Sequence, residues 1–186
     1  MARTESKMLP LGTPAPAFHL PDTVTGKTIS LDDVATGYAT VVMFICNHCP
    51  YVLHVNDEIV RIANEYRPKE VGFVAISSND VKNYPDDSPD KMKVQAEKVH
   101  YSFPYLYDET QEVAKAYDAA CTPDFYVFNR DRILVYRGRL DASRPKTDVP
   151  VTGEDLRAAL DAVLAGKPVS EKQYPSMGCN IKWRED

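Results

Sequence analysis

The sequence lacks any apolar run long enough to span a bilayer. It has a single tryptophan and a formal net charge of −5, which argues against a basic surface for nucleic acid or anionic membranes. The first ten residues contain no apolar segment of signal-peptide length. We therefore expect a cytoplasmic protein whose partners include neither nucleic acid nor a membrane.

Cysteine is also scarce, because four cysteines in 186 residues are too few for a disulfide scaffold. In a reducing compartment, two cysteines that lie close together are more often catalytic, redox-sensing or metal-binding. The length suits one core of good size, so we predict a single domain over residues 1–186.

Two of the cysteines lie where a strand is predicted to end and a helix to begin. Cys46 and Cys49 follow the apolar, β-branched run 40–45, and an apolar stripe from Pro50 to about Tyr66 predicts a helix. The N–H groups and dipole at a helix start favour a thiolate over a thiol. The spacing also allows the two sulfurs to close a small disulfide ring. We predict a redox centre in which Cys46 attacks and Cys49 resolves.

His48 lies between the two cysteines and is predicted to take part in catalysis. A protonated imidazole near the Cys46 sulfur would lower the pKa of that thiol and favour the reduced pair. The alternatives are a solvated His48, a half-occupied zinc site or two ordinary buried thiols. Zinc would need two more ligands, and the sequence has no second C-x-x-C and no H-x3-5-H spacing. We therefore predict neither a metal nor a cofactor.

The remaining patterns predict a regular alternation of strands and helices. The polar segment 78–90 is long enough to border a site. The elements expected after the first strand and helix are a strand at 71–77, a helix at 89–99, an extended segment at 103–108, a helix at 109–117, a hairpin at 125–128 and 133–136, and a helix from 152 to 164. This order is that of the thioredoxin fold. We predict an α/β protein with a central mixed β-sheet flanked by helices, an N-terminal β-hairpin over 17–31 and an irregular C-terminal tail from 169.

Thr122-Pro123 precedes the predicted strand at 125. In this topology a cis Thr122-Pro123 bond would lie beside the thiols, where free backbone groups near Thr122 can bind an extended substrate chain. Cys121 and Cys179 form a candidate second thiol pair. They can form a disulfide, act as further resolving thiols or be inert buried residues.

Five segments together resemble one known family: Gly12–Leu20, Cys46–Pro50, Phe103–Asp108, Thr122–Phe128 and Gly178–Trp183. They are similar to the thioredoxin-like branch of the alkyl hydroperoxide reductase and thiol-specific antioxidant (AhpC/TSA) superfamily, from about residue 11 to 183. The resemblance implies a thioredoxin fold, Cys46 and Cys49 as the redox pair, and Pro123 as the cis-proline. The chain departs from the peroxiredoxin motif, with Val42 in place of its proline and Cys46 in place of its hydroxyl residue.

The expected function is that of a thiol-disulfide oxidoreductase. Its partners would be protein or small-molecule disulfides and a reducing system. Two alternatives remain open: a thiol-dependent peroxidase of the antioxidant kind, and a redox-sensing or metal-binding module without turnover.

Overall fold

The computed structural model describes residues 3–185 and shows a mixed α/β fold. The strands are β1 (Arg3–Glu5), β2 (His19–Pro21), β3 (Thr28–Ser30), β4 (Ala39–Phe44), β5 (Val71–Ser77), β6 (Tyr105–Tyr107), β7 (Cys121–Thr122), β8 (Asp124–Asn129), β9 (Leu134–Gly138) and β10 (Met177–Asn180). The helices are α1 (Leu31–Val34), α2 (Pro50–Tyr66), α3 (Pro89–Val99), α4 (Glu112–Ala116) and α5 (Glu154–Leu164), with short 3-10 turns at Arg67–Lys69 and Pro85–Asp87.

The central sheet has five strands in the order β6-β5-β4-β8-β9. Strand β4 runs parallel to β5 and antiparallel to β8, and β9 is antiparallel to β8. Every residue of β4 is buried, because packed side chains cover both faces of the sheet. This explains why the sequence of β4 is continuously apolar instead of alternating. The predicted mixed sheet flanked by helices is confirmed.

Helix α2 follows β4 directly and begins where the sequence predicted it. Cys49 is its N-cap and Pro50 its first residue, where a missing N–H group costs nothing. Its predicted apolar stripe is buried against one face of the sheet, together with residues of α3 and α5. An aromatic cluster with Phe44, Tyr117, Tyr126 and Phe128 packs on the other face.

The predicted N-terminal hairpin is present, as β2 pairs antiparallel with β3. Helix α4 is shorter than the predicted 109–117. The buried Asp108 carboxylate accepts the backbone N–H groups of Val113 and Ala114, at 3.4 and 2.9 Å, and Gln111 takes a left-handed conformation before the helix. These contacts hold the preceding residues in a turn, so the helix starts at Glu112.

The tail differs from the irregular segment that the sequence predicts, because Met177–Asn180 forms β10. This strand pairs antiparallel with β1 on one side and with β7 on the other. Four residues are too few to show a strand periodicity, and the pairing depends on contacts with distant parts of the chain. Within residues 3–185, no helix is both long and apolar enough to cross a membrane.

Candidate redox site

The predicted cysteine pair lies at the junction of β4 and α2. Cys46 is 2% exposed and Cys49 is fully buried, so Cys46 is more buried than an exposed attacking thiol would be. Both sulfurs lie against Thr122, and the two thiols shift each other's pKa in opposite directions. Cys49 is the N-cap of α2, and its carbonyl oxygen accepts the backbone N–H groups of Val52 and Leu53 at 3.0 and 2.9 Å. The geometry therefore brings the two sulfurs together as the spacing predicted.

A third sulfur completes the site. The Sγ of Cys179, on β10, is 2.6 Å from the Sγ of Cys49. The Cys49 thiol also lies 3.4 Å from the carbonyl oxygen of Thr122, and the Cys46 sulfur lies 3.5 Å from the Thr122 hydroxyl. All four cysteines of the chain are free thiols in this structure. Cys49 thus lies between two other thiols.

The surroundings of the thiols determine which of them ionises most readily. Interactions with the Cys179 and Cys46 thiols, and with the backbone at Val52, lower the pKa of Cys49. The hydrogen bond to Cys49, burial and the negative charge of Asp87 raise the pKa of Cys46. The hydrogen bond to Cys49 and burial likewise raise the pKa of Cys179. The first negative charge of the cluster is therefore on Cys49.

His48 lies near the Cys46 sulfur, and its ring is also paired with a buried carboxylate. Its Nδ1 lies 3.0 Å from the carboxylate of Asp87, which is completely buried. Asp87 also accepts the backbone N–H of Asn47 and the side-chain amide of Asn79, both at 2.9 Å. The pKa of Cys46 is raised and not lowered, since the Cys49 thiol and burial act most strongly and the buried Asp87 charge adds to them.

Asp87 was not among the predicted site residues. It comes from the polar loop 78–90, which the sequence did predict to border a site. The Cys46 sulfur, a His48 ring nitrogen and an Asp87 oxygen all lie within 4.8 Å of one another, so they can hold a metal ion. The sequence spacing concealed this ligand set, since 39 residues separate His48 from Asp87. The metal-binding alternative therefore has a geometric basis that the sequence did not show.

The Thr122-Pro123 peptide bond is cis, as predicted, and lies beside the thiols. The backbone of Thr122, however, is not free for a substrate. Strand β10 already runs along this edge and pairs Cys179 with Thr122. Next to Pro123 there is a cleft of about 160 Å³, which is also lined by Tyr51, Arg139 and Tyr174. A substrate chain can approach Pro123 from the side of this cleft, or along the strand edge if β10 is displaced.

The structure does not bring Cys121 and Cys179 together as a second pair. Across the β7–β10 ladder, Cys121 lies opposite Asn180 and Cys179 opposite Thr122. Successive side chains of a strand point to opposite faces, so the two cysteines are directed away from each other. The Cys121 sulfur contacts the carbonyl oxygens of Pro123 and Ser176, both at 3.9 Å, and burial raises the pKa of its thiol.

The sequence model of the AhpC/TSA family matches residues 11–137, more than half of the chain. The chain belongs to the AhpC/TSA family. A solved structure very similar to this AhpC/TSA-family protein is that of an uncharacterized conserved protein from Geobacillus kaustophilus. The TM-score is 0.98 at 62% identity, and the match covers 100% of this chain and 98% of that chain.

Two further comparisons concern thiol-disulfide chemistry. The AhpC/TSA-family chain is 24% identical, over 160 residues, to the thiol:disulfide interchange protein DsbE of Allochromatium vinosum, covering 83% of this chain and 78% of the relative. It also matches the structure of a thiol:disulfide interchange protein of the thioredoxin family from Chlorobium tepidum TLS, with a TM-score of 0.64 and 18% identity over 82% of this chain and 97% of that chain. The second likeness confirms the thioredoxin fold. Family and fold together support redox enzyme activity of the thioredoxin type.

Proposed function

We propose that the protein is a thiol-disulfide oxidoreductase that exchanges the Cys46-Cys49 dithiol with protein or small-molecule disulfides. The observation that carries the proposal is the position of both thiols against Thr122, at the start of α2 and next to the cis-proline. A helix start that stabilises a thiolate, with a second thiol in reach, is what dithiol exchange requires.

The exchange has two steps. In the reduced cluster, the Cys46 proton passes to the Cys49 sulfur along their hydrogen bond, which gives the Cys46 thiolate. This thiolate attacks one sulfur of the substrate disulfide, forms a mixed disulfide and releases the first substrate thiolate. Cys49 then loses its proton and attacks the Cys46 sulfur, which forms the Cys46-Cys49 disulfide and releases the second substrate thiolate. Two electrons pass to the substrate, and a dithiol reductant must return them.

Access to Cys46 determines which substrates can react. Cys46 has little exposed surface, and the His48 side chain next to it is 28% exposed. The cleft next to Pro123 borders the site on its other side, with Tyr51 and Arg139 in its lining. We propose that a protein substrate lies over Pro123 and this cleft, instead of pairing with the backbone of Thr122. The cytoplasmic location is part of this proposal, and cell fractionation tests it.

Insulin reduction by the purified protein, with dithiothreitol as reductant, tests the proposal. We expect the wild type to accelerate precipitation of the insulin B chain and Cys46→Ser to be inactive. Cys49→Ser should accumulate mixed disulfides, because the Cys46-bound substrate is no longer displaced. Cys121→Ser is the matched control and should retain wild-type activity, because its sulfur lies outside the cluster. Equal rates for the wild type and Cys46→Ser would refute the proposal.

A second candidate function is a thiol peroxidase. It is favoured by the position of Cys49, which takes the place of the peroxidatic cysteine of the peroxiredoxin motif, lies at the start of α2 and has surroundings that lower its pKa. Cys49 has no exposed surface, so a small oxidant such as hydrogen peroxide reaches it more readily than a protein disulfide does. Stopped-flow mixing of the reduced protein with hydrogen peroxide separates the two functions. Rapid stoichiometric loss of peroxide, abolished in Cys49→Ser, would favour the peroxidase.

A further inference from the structure

The dithiol mechanism uses two of the three sulfurs in the cluster and gives no role to the third. Cys179 lies 130 residues after Cys49 in the chain, yet its sulfur is 2.6 Å from the Cys49 sulfur. Cys46 lies on the other side of the same residue, since Thr122 is 3.4 Å from the Cys49 sulfur through its carbonyl oxygen and 3.5 Å from the Cys46 sulfur through its hydroxyl. One central thiol therefore contacts two others, and each of the two is placed to form a disulfide with it.

The position of Cys179 is fixed by the fold. Strand β10 lies against β7 so that Cys179 pairs with Thr122, and Gly178 contacts the same edge so closely that a Cβ atom would lie 1.8 Å from the Thr122 carbonyl oxygen. After the strand, the N–H of Ile181 bonds to the Ala120 carbonyl at 3.0 Å. The strand thus occupies the edge beside the cis-proline where a substrate was expected, and it brings its own thiol to Cys49.

The same segment is attached to the loop that holds the site. The N–H of Lys182 donates to the buried Asn79 side chain at 2.9 Å, and Asn79 in turn donates to Asp87 at 2.9 Å. The Lys182 carbonyl accepts the N–H of Asp80 at 2.8 Å and the Gln111 amide at 2.9 Å. The position of Cys179 is therefore fixed both by the pairing of β10 with β7 and by the hydrogen bonds that Lys182 makes just after the strand.

We propose that Cys179 is a third redox cysteine that takes over the disulfide first formed between Cys46 and Cys49; this inference rests on the proposed dithiol exchange. The Cys179 thiol loses its proton and attacks the Cys49 sulfur. The Cys49–Cys179 bond forms, the Cys46–Cys49 bond breaks, and Cys46 leaves as a thiolate that takes up the proton. The step is an isomerisation of one disulfide, so it needs neither an oxidant nor a reductant.

The burial of the two sulfurs suits this role. Cys49 is fully buried, and its contact with Cys179 lies inside the fold, between the start of α2 and β10. An internal exchange between them needs no substrate to enter. Its effect is to restore a free Cys46 thiol while the chain remains oxidised by two electrons. Two oxidised isomers then exist, one with the Cys46–Cys49 disulfide and one with the Cys49–Cys179 disulfide. Only the first has its disulfide at Cys46, the sulfur that meets the substrate.

Disulfide mapping tests the proposal without any variant. The oxidised full-length protein, prepared with glutathione disulfide, is alkylated with N-ethylmaleimide and digested with trypsin without reduction. Cys46 and Cys49 lie in the tryptic peptide 28–61, Cys179 in 173–182, and Cys121 in 116–130. A Cys46–Cys49 bond leaves peptide 28–61 uncrosslinked, whereas a Cys49–Cys179 bond joins 28–61 to 173–182, with one maleimide on Cys46.

We expect the joined peptide in the wild type and, as the sole disulfide, in Cys46→Ser. Cys179→Ser should contain only the bond within peptide 28–61, and Cys121→Ser should match the wild type. Absence of the joined peptide from the wild type overturns the inference, even if the joined peptide forms in Cys46→Ser. The isomer with the Cys49–Cys179 disulfide is then not populated in the wild type. Insulin reduction is measured on the same samples. A wild type that forms neither disulfide and does not reduce insulin would refute the proposed function, whereas one that reduces insulin with only the Cys46–Cys49 bond would refute only the role of Cys179.

Discussion

Asp124 is a buried carboxyl group, and its replacement by asparagine gives a quantitative test of how burial acts on charge in this fold. The residue is 1% exposed at the start of β8 and lies opposite Phe44 of β4. The Ser6 hydroxyl donates to it at 2.9 Å and the Tyr126 hydroxyl at 3.1 Å. Burial outweighs these hydrogen bonds and raises the pKa of Asp124 to about 7.

The sign and size of the effect follow from this value. In the unfolded chain an aspartate ionises near pH 3.9, so between about pH 4 and 7 the folded state binds one more proton than the unfolded state. The free energy of unfolding therefore falls as the pH rises through this window and becomes constant above it. The pKa of Asp124 differs by about 3 units between the folded and the unfolded state, so the free energy of unfolding is lower by about 4 kcal/mol at pH 8 than at pH 4.

Asparagine keeps the shape and the hydrogen-bonding capacity of the neutral acid but cannot ionise. Asp124→Asn should match the wild type at pH 4 and exceed its free energy of unfolding by up to about 4 kcal/mol at pH 8. Urea unfolding of the reduced proteins across this pH range measures the difference in free energy of unfolding between the variant and the wild type. The other titrating groups are the same in both proteins, so their contributions cancel in this difference. Asp131→Asn, at an exposed turn position, is the control and should show no pH-dependent difference. Parallel profiles of Asp124→Asn and the wild type would refute the reasoning.

Two further substitutions test the site itself. Asp87→Asn should make alkylation of Cys46 by iodoacetamide faster at pH 7, because the Asp87 charge raises the pKa of that thiol. The same substitution should lower the free energy of unfolding by about 2 kcal/mol, because it weakens the buried hydrogen bonds to Asn47 and Asn79. Gly178→Ala should cost about 3 kcal/mol in urea unfolding, since the new Cβ would lie 1.8 Å from the Thr122 carbonyl oxygen and would force β10 away from it.

Each of these has a matched control. Asp86→Asn removes a neighbouring but exposed carboxylate, which pairs with Lys91, and should leave the alkylation rate of Cys46 unchanged. Gly26→Ala meets no atom within 4 Å and should cost only about 1 kcal/mol, for its left-handed backbone. An alkylation rate that responds equally to Asp86→Asn and Asp87→Asn, or equal losses for the two glycine variants, would contradict the assignments.

The sequence was most informative where a short pattern carries its own physical cause. The apolar run before Cys46 and the stripe after Pro50 predicted β4 and the bounds of α2, since a buried strand and a half-buried helix impose different periodicities. The cis bond before Pro123 followed from its place in that topology.

The parts that the sequence did not reveal depend on tertiary contacts. Asp87 and Asn79 lie in a polar loop whose composition fits any surface segment, and only the folded loop directs them to His48 and Asn47. The burial of Cys46 could not be seen either. The pKa of Cys46 depends on the same loop too, because the Asp87 charge adds to the effects of the Cys49 thiol and of burial in raising it.

The pairing of β10 with β7 has a consequence for the order in which the site assembles during synthesis. Cys46 and Cys49 leave the ribosome together, whereas the segment that carries Cys179 follows 130 residues later. Domains made N-terminus first fold in part before synthesis ends. A nascent chain released without residues 177–180 would still contain the whole segment that the family model matches, but its cis-proline edge would be uncovered and its central sulfur would have one neighbour instead of two.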